Sequence, residues 1–204
     1  MAIFLLVRHG DNHSIGKFLA GRSPNVHLNE KGRKQAQDLA ACLVGLPIKA
    51  VISSPLERAQ ETAEPIAQAL GLAVEIMADF NEVDFGEWEG KGLEDLRKDA
   101  LWNDVQERPG QIRFPGGENL QESQNRVVEG LLMLNTKYAE KDYVVCVAHC
   151  DVVRLAVAYF LGVPLDNLQR IQVFPASISI LSLNGKSAKL GAINYTINLS
   201  DSLD

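Results

Sequence analysis

The chain has 204 residues, 46% of them hydrophobic, which suits a single compact domain with one core. Its formal net charge is -6, so the overall field repels nucleic acid and anionic membrane surfaces. We therefore expect neither as a partner. An anionic ligand would have to be held by a local cluster of positive charge.

The cysteines Cys42, Cys146 and Cys150 form no C-x-x-C pair, which disfavours a disulfide framework or a zinc site. The apolar stretch at the N-terminus is too short for an export signal, and no apolar run approaches the roughly 20 residues that span a bilayer. These features predict a cytoplasmic protein. The sequence leaves a homodimer open.

Residues 3–7 are apolar on both faces, as in a strand buried in a parallel sheet, and polar residues begin directly after them at Arg8 and His9. Helical spacing of apolar residues runs from residue 30 to about residue 46, with Asn29 as the expected N-cap. These two segments predict the first strand and the first helix of an α/β domain.

A second strand is predicted at residues 50–52, followed by a helix over residues 56–70 that Pro65 kinks or interrupts and that Gly71 ends. Residues 79–117 are punctuated by glycine and proline and lack a regular period. A long irregular excursion of this kind is typical of a lid or a pocket wall.

Regular patterns return in the last part of the chain. The predicted elements there are a helix over residues 119–138, a strand at Tyr143–Ala148 that ends at His149, a helix over residues 152–161, and closing strands around Ile171, at residues 178–183 and at residues 193–197. This order predicts one α/β domain over residues 1–204, with a mostly parallel central sheet flanked by helices on both faces.

Ligands of open parallel sheets bind outside the carboxyl ends of the strands, which is where Arg8, His9 and Gly10 are expected. An arginine can hold two phosphate oxygens while a neighbouring imidazole attacks phosphorus, and a glycine lets the backbone come close. The alternative is that Arg8 and His9 only cap a helix.

Two later residues have a similar placement. Arg58 follows the second strand in the first turn of the next helix, where the N-terminus favours a bound anion, and an ordinary surface arginine is the alternative. His149 ends a buried strand just as His9 does. Among the four histidines only His9 and His13 are four residues apart, and Gly10 stands where an H-E-x-x-H metal motif has its glutamate, so we expect no catalytic metal. Cys150 lacks the glycine loop and arginine that would accompany a phosphatase thiolate.

The irregular segment opens with an acidic stretch. Expelling an alkoxide from a phosphomonoester needs a proton donor, and a partly desolvated carboxylic acid can supply the proton near neutral pH. Sequence spacing does not choose among the five acids that compete for this role, which are Asp79, Glu82, Asp84, Glu87 and Glu89.

Together and in this order, these segments resemble the histidine phosphatase superfamily in its phosphoglycerate-mutase-like branch. The resemblance extends from residue 3 to about residue 180 and is strongest in five motifs: Leu6-Val7-Arg8-His9-Gly10, Leu28-Asn29-Glu30-Lys31-Gly32, residues 53–63, residues 82–90 and Phe114-Pro115-Gly116-Gly117-Glu118. The sequence is most similar to a small subgroup called "probable phosphomutase" through residues 20–26, 149–153 and 175–177.

The resemblance implies a phosphohistidine mechanism that uses neither a metal nor a cofactor. It implies that His9 is the nucleophile, that Glu82 is the general acid that later activates water, and that Arg8, Arg58 and His149 form the phosphate pocket. Two guanidiniums and a protonated His149 would offset the charge of the phosphate. The substrate would be a small phosphorylated metabolite.

The chain departs from the family pattern at two places. Many members carry an asparagine six residues after the nucleophile, where this chain has Ile15. Either Asn12 or Ser14 takes that place beside the substrate, or the pocket differs in polarity from the family pattern. Cys150 and Asp151 replace the usual pair of glycines. We expect Asp151 to bind a cationic or hydroxyl-bearing part of the substrate.

Arg22 lies where family members often approach the substrate, and the alternative for it is a solvated surface arginine. With Gly10 it completes the predicted substrate-binding residues.

The resemblance covers both mutases and phosphatases. True mutases carry an arginine-histidine-tyrosine segment after the general acid and a pair of adjacent arginines further on, and this chain has neither. We therefore expect a phosphohydrolase of the histidine acid phosphatase type. The alternatives are a phosphoglycerate-type mutase and a non-catalytic protein that binds phosphorylated ligands, although His9 and Glu82 are both retained.

Exhaustive chelation is predicted to leave hydrolysis unchanged, because the sequence carries neither an H-E-x-x-H nor a C-x-x-C metal motif. The check is the rate with p-nitrophenyl phosphate before and after dialysis against EDTA. A rate that vanished with the chelator and returned with a divalent ion would contradict the prediction.

Overall fold

A computed structural model describes residues 1–185 and 187–197 of the chain. The strands are β1 (Ala2–Arg8), β2 (Ile48–Ser53), β3 (Val74–Ile76), β4 (Tyr143–Ala148), β5 (Ile178–Asn184) and β6 (Ser187–Tyr195). They form a six-stranded sheet in the order β3-β2-β4-β1-β5-β6. The pairs from β3 to β1 are parallel, whereas β5 pairs antiparallel with both β1 and β6.

The α-helices are α1 (Glu30–Leu43), α2 (Glu57–Leu70), α3 (Leu93–Leu96), α4 (Trp102–Glu107), α5 (Leu120–Lys137) and α6 (Cys150–Leu161). Asn29 caps α1 as predicted, because its side chain accepts a hydrogen bond from the backbone N–H of Gly32 at 2.8 Å. None of the helices in the described residues is long and apolar enough to cross a membrane.

Side chains of β1 alternate between the two faces of the sheet. Phe4 and Leu6 pack with residues of α5 and α6, whereas Leu5 and Val7 pack with residues of α1 and α2. Both faces of this central strand are therefore covered, which explains why its sequence is a continuous apolar run. The predicted single α/β domain, with a mostly parallel sheet and helices on both faces, is confirmed.

Three predicted details are wrong. Helix α2 continues through Pro65 without interruption, since Ile66 and Ala67 beyond the proline are buried and their packing offsets the lost backbone hydrogen bond. Helix α1 ends at Leu43 rather than near residue 46. No strand forms around Ile171, which instead follows the 3₁₀ helix Leu165–Arg170, because a short apolar run does not by itself distinguish a strand from a turn packed on the core.

The carboxyl ends of the central strands lie at one edge of the sheet. The backbone N–H of His9 donates to the carbonyl of Ala148 at 2.9 Å, and the N–H of Ser54 donates to the carbonyl of Val147 at 2.9 Å. Pairing thus continues to the last residue of each strand. The segments that follow β1, β2 and β4 consequently leave the sheet side by side.

Residues 79–117 add a third apolar cluster beside this edge. They contain α3, α4 and three single-turn 3₁₀ helices at Ala78–Phe80, Gly86–Trp88 and Pro109–Gln111. Trp88, Leu96 and Phe114 are buried in this cluster together with Leu155 of α6. The segment that lacks a sequence period is thus ordered by its own core.

Candidate active site

Three residues predicted to carry the chemistry come together at the edge of the sheet. His9 follows β1, Arg58 lies in the first turn of α2, and His149 directly precedes α6. The rings of His9 and His149 are 5.2 Å apart between centroids. A cleft of about 410 Å³ opens over His9 and Arg58, whereas His149 is fully buried and does not line it. The polar lining residues of the cleft are Arg8, His9, Asn12, Ser14, Arg58, Glu82, Asp151 and Arg154.

His9 is held in one orientation by two hydrogen bonds. Its Nδ1 lies 2.8 Å from the carbonyl oxygen of Gly10, so Nδ1 carries the proton and donates it. Its Nε2 accepts from Nε of Arg58 at 3.3 Å. Burial, followed by the positive charges of Arg58 and Arg8, lowers the pKa of His9 well below its ordinary value. The ring is therefore neutral near pH 7, with the Nε2 lone pair directed at the cleft residue Arg58.

Gly10 holds the loop after β1 in place beside the site. Its N–H donates to the hydroxyl of Thr62 at 3.0 Å, and that hydroxyl donates to the carbonyl of Arg58 at 2.7 Å, so the loop after β1 is tied to α2. A Cβ on Gly10 would lie 2.7 Å from the carbonyl oxygen of Gly32 in α1. The glycine allows a close backbone approach, as predicted, but the approach is to α1, and Gly10 does not line the cleft.

Four buried nitrogens around His9 have no hydrogen-bond partner within the described residues. They are Nε of Arg8, Nδ2 of Asn12, Nη1 of Arg58 and Nδ1 of His149. Other atoms of the same side chains are fixed, since Nη1 of Arg8 donates to the Val173 carbonyl at 2.6 Å and Nη2 of Arg58 donates to the Gly21 carbonyl at 2.7 Å. Buried polar groups are normally hydrogen-bonded, so four unpaired nitrogens in one place indicate a site that binds an anion.

His149 is neutral in the structure, whereas the sequence indicated a protonated ring. Burial is the largest cause that lowers its pKa well below the ordinary value, and the positive charges of Arg58 and Arg8 lower it further. The ring is therefore neutral in the ligand-free pocket. Its Nε2 lies 2.7 Å from the hydroxyl of Ser54, which fixes the ring plane.

Glu82 is the one acid of the five candidates, all of them in the described part of the chain, that lines the cleft. Burial raises the pKa of Glu82 to about 8, and the nearby charge of Asp151 adds to the rise while Arg58 opposes it. Its Oε1 accepts from the backbone N–H of Val83 at 3.0 Å. Glu82 is therefore a carboxylic acid that keeps its proton near neutral pH.

The backbone of Glu82 is braced by two arginines that lie outside the cleft. Nε of Arg22 donates to the Glu82 carbonyl at 2.8 Å, and Nη1 of Arg126 donates to the Asn81 carbonyl at 2.9 Å. Glu118 joins the two guanidiniums, at 2.8 Å from Arg22 and 3.1 Å from Arg126. Partial burial would raise the pKa of Glu118, but the Ser123 hydroxyl and Arg126 outweigh it and hold the pKa at about 2.

Arg22 is therefore not brought into the cleft as predicted for a substrate-binding residue, and it is not a solvated surface arginine either. Sequence reasoning missed the bracing role of Arg126 and Glu118. The signal was present in the motif Phe114-Pro115-Gly116-Gly117-Glu118, since a Cβ on Gly117 would lie 2.3 Å from the carbonyl oxygen of Asp84. The glycine lets this turn dock on the loop that carries Glu82.

The remaining predicted substrate residues do line the cleft. Asn12 and Ser14 lie beside Ile15, and the Oδ1 of Asn12 accepts from both the N–H and the hydroxyl of Ser14, which leaves Nδ2 of Asn12 as the free donor. Asp151 is paired with Arg154 at 3.1 Å. Arg154 was not predicted, although its position three residues after Asp151 on a helix places the two side chains on one face.

No cluster of three or more His, Cys, Asp or Glu side chains that could hold a metal ion is present among the residues that the structure describes. The profile described as "Histidine phosphatase superfamily (branch 1)" matches residues 4–196. The chain belongs to the histidine phosphatase superfamily.

Individual members of the superfamily are similar over nearly the whole chain. The adenosylcobalamin/alpha-ribazole phosphatase of Escherichia coli (strain K12) is 31% identical over 197 residues, 93% of this chain and 94% of that protein. The 2,3-bisphosphoglycerate-dependent phosphoglycerate mutase of Thermoplasma acidophilum is 30% identical, over 96% of this chain and 95% of that protein. The crystal structure of the alpha-ribazole phosphatase from Shigella flexneri matches with a TM-score of 0.81 at 28% identity, over 95% of this chain and 96% of that chain.

The pKa of Glu82 predicts how stability depends on pH. The pKa rises from an ordinary 4.5 to about 8 on folding, so the folded state holds the extra proton between these values and the stability of the protein falls as the pH rises through that window. Glu82→Gln removes the ionisable group and with it this loss of stability. We expect the variant to melt with the wild type at pH 4.5 and about 5 °C or more above it at pH 8.

Thermal unfolding at a series of pH values checks this prediction. Glu87→Gln is the matched control, because Glu87 is exposed on the same segment and its substitution should change the melting temperature little at any pH. A difference between Glu82→Gln and wild type that stays constant from pH 4.5 to pH 8 would mean that Glu82 ionises in the ordinary way.

Proposed function

We propose that the chain is a metal-independent phosphohydrolase that transfers phosphate from a small phosphomonoester to His9 and then hydrolyses the phosphohistidine. The observation that carries the proposal is the convergence of four buried, unpartnered nitrogens around a neutral, oriented histidine. A phosphate dianion would satisfy these nitrogens and supply the negative charge that Arg8 and Arg58 lack.

The first step is attack of His9 Nε2 on phosphorus. The proton on Nδ1 stays bonded to the Gly10 carbonyl, so the positive charge that develops on the ring is stabilised by that carbonyl dipole. Before attack, Nε2 must exchange its contact with Nε of Arg58 for phosphorus, and the same guanidinium is then free to bind an equatorial oxygen. An arriving dianion would also favour protonation of His149, which is neutral in its absence.

Glu82 supplies the acid and then the base. Its protonated carboxyl gives a proton to the leaving oxygen, and the resulting carboxylate takes a proton from the water that attacks the phosphohistidine. A pKa of about 8 suits both steps near neutral pH. The second step returns His9 and Glu82 to their starting states.

Hydrolysis is favoured over mutase activity by the charges that line the cleft. Its basic residues within the described part of the chain are Arg8, Arg58 and Arg154, and the third is already paired with Asp151. A phosphoglycerate-type mutase would need further unpaired cations for the carboxylate of its substrate. The similarity to the Thermoplasma acidophilum mutase keeps that activity as the second candidate.

The covalent intermediate is the direct test. Brief exposure of the wild type to a ³²P-labelled phosphomonoester should give an acid-labile, base-stable label, and His9→Ala should abolish both the label and nearly all turnover while the protein stays folded. A His9→Ala variant that kept a tenth of the wild-type rate would refute the assignment. A labelled wild type that passed phosphate to 3-phosphoglycerate faster than to water would identify a mutase.

Glu82→Gln separates proton donation from binding. We expect hydrolysis of an alkyl phosphate to slow by about 10²–10⁴-fold, because a poor alkoxide leaving group needs the proton. Formation of the phosphohistidine from p-nitrophenyl phosphate should suffer much less, since nitrophenolate leaves without protonation. Burst kinetics measure this step and should show a rapid release of nitrophenol before slow turnover.

The ratio of the alkyl rate to the nitrophenyl burst rate is the quantity to compare with wild type. Equal losses for both substrates would mean that Glu82 only anchors its loop. The acid role would then pass to Asp151, the other carboxylate that lines the cleft.

A further inference from the structure

A second, smaller cavity of about 120 Å³ lies beside the catalytic cleft. Leu19, Phe85, Leu93 and Asp151 line both spaces, so the two are neighbours that share a wall. The rest of the small cavity is lined mainly by apolar side chains of residues 79–117. These belong to the segment that also carries Glu82.

The aromatic side chains that line this cavity are in contact with one another. The rings of Trp88 and Trp102 stack at 6.2 Å, Trp88 meets Phe114 edge to face at 5.6 Å, and Phe85 meets Phe114 at 4.8 Å. The space is bordered by aromatic rings and is large enough to hold a benzene-sized group. Apolar cavities of about 150 Å³ stay dry and take up benzene-sized ligands.

Polar groups in the cavity lining are few, and one stands at the junction with the cleft. Asp151 is held there by Nη1 of Arg154 at 3.1 Å, and Nε of the same arginine donates to the Ile171 carbonyl at 2.7 Å. Oδ2 of Asp151 has no hydrogen-bond partner in the part of the chain that the structure describes. The junction therefore offers an acceptor to a hydroxyl or amine group, with apolar surface beyond it.

We propose that the small cavity binds the leaving group of the substrate, and that the substrate is the phosphate ester of an alcohol with an aromatic ring or a compact branched alkyl group. The proposal rests on the proposed function, because it places phosphate at His9 and the alcohol beyond Glu82. Cleavage, with the proton of Glu82 transferred to the leaving oxygen, then releases the neutral alcohol into the apolar cavity. Asp151 receives a hydrogen-bond donor of the alcohol where the two spaces meet.

A series of alkyl phosphates with similarly poor leaving groups tests the substrate class. Ethyl phosphate, 3-methylbutyl phosphate and 2-phenylethyl phosphate differ mainly in the apolar surface that the cavity can bury. We expect kcat/KM to be about 10²-fold higher for 2-phenylethyl phosphate than for ethyl phosphate, with 3-methylbutyl phosphate between them. Equal values across the series would overturn the inference and leave the proposed hydrolysis intact.

Variants at Val105, which lines the small cavity and not the catalytic cleft, localise the effect. Val105→Phe narrows the cavity and should remove most of the preference for 2-phenylethyl phosphate without changing the rate with ethyl phosphate. Val105→Leu narrows it less and should give a smaller loss if the phenylalanine variant does not fold. Val128→Leu is the matched control, because Val128 is equally buried on α5 and lines neither space. A preference retained in both Val105 variants would refute the cavity as the binding site.

A second readout does not depend on catalysis. The chain has two tryptophans, Trp88 and Trp102, and both line the small cavity, so intrinsic fluorescence reports on this site. Addition of 2-phenylethanol should give a saturable change in wild type and in Val128→Leu, with at least tenfold weaker binding in Val105→Phe. Saturable binding without any phosphomonoester hydrolysis would refute the proposed function and keep the site. No saturable change in wild type would refute the site.

Discussion

The structure places two guanidiniums in the lining of the cleft, one buried (Arg58) and one partly buried (Arg8), without a carboxylate to pair with. Arg8 and Arg58 form no ion pair within the described part of the chain, and their side chains donate instead to the backbone carbonyls of Val173 and Gly21. Unpaired buried charge is costly, so the fold must hold these groups from several sides. The hydrogen bonds from Gly10 to Thr62 and from Thr62 to the Arg58 carbonyl help to hold the guanidiniums. They fix the loop after β1 against the helix that carries Arg58.

One environment sets opposite protonation states for the groups that we propose to react. Burial disfavours charge on every group, so it lowers the pKa of the imidazoles of His9 and His149 and raises the pKa of the carboxyl of Glu82. The arginines reinforce the effect on the imidazoles and oppose it on Glu82. A neutral nucleophile and a protonated acid can therefore coexist near pH 7, because desolvation dominates at Glu82 while positive charge adds to it at His9.

The sequence predicted those parts of the site that follow from strand ends. His9 and His149 end buried strands and Arg58 begins the helix after another, so the parallel order of the sheet was enough to bring them to one edge. The choice of Glu82 among five acids was not available from spacing, because burial distinguishes them and burial depends on the docking of residues 114–118. Only the resemblance to the family pointed to Glu82 in advance.

Other features depend on contacts that no local pattern records. Arg22 is held by Glu118, which lies 96 residues away along the chain, so sequence position suggested a substrate contact where the structure has a brace. Arg154 enters the cleft because its partner Asp151 does. The ordered core of residues 79–117 was missed because short 3₁₀ and α-helical turns, separated by glycines, show no period long enough to identify.

Residues 79–117 carry both Glu82 and most of the side chains that line the small cavity. Glu82 is fixed through its backbone by Arg22 and Arg126, and Gly117 docks the following turn against Asp84, so the acid is positioned by contacts made at the start of the segment. The apolar cavity is formed by side chains further along, around Trp88 and Trp102. Because different atoms of the segment perform the two tasks, side chains of the cavity can change without moving the carboxyl group of Glu82.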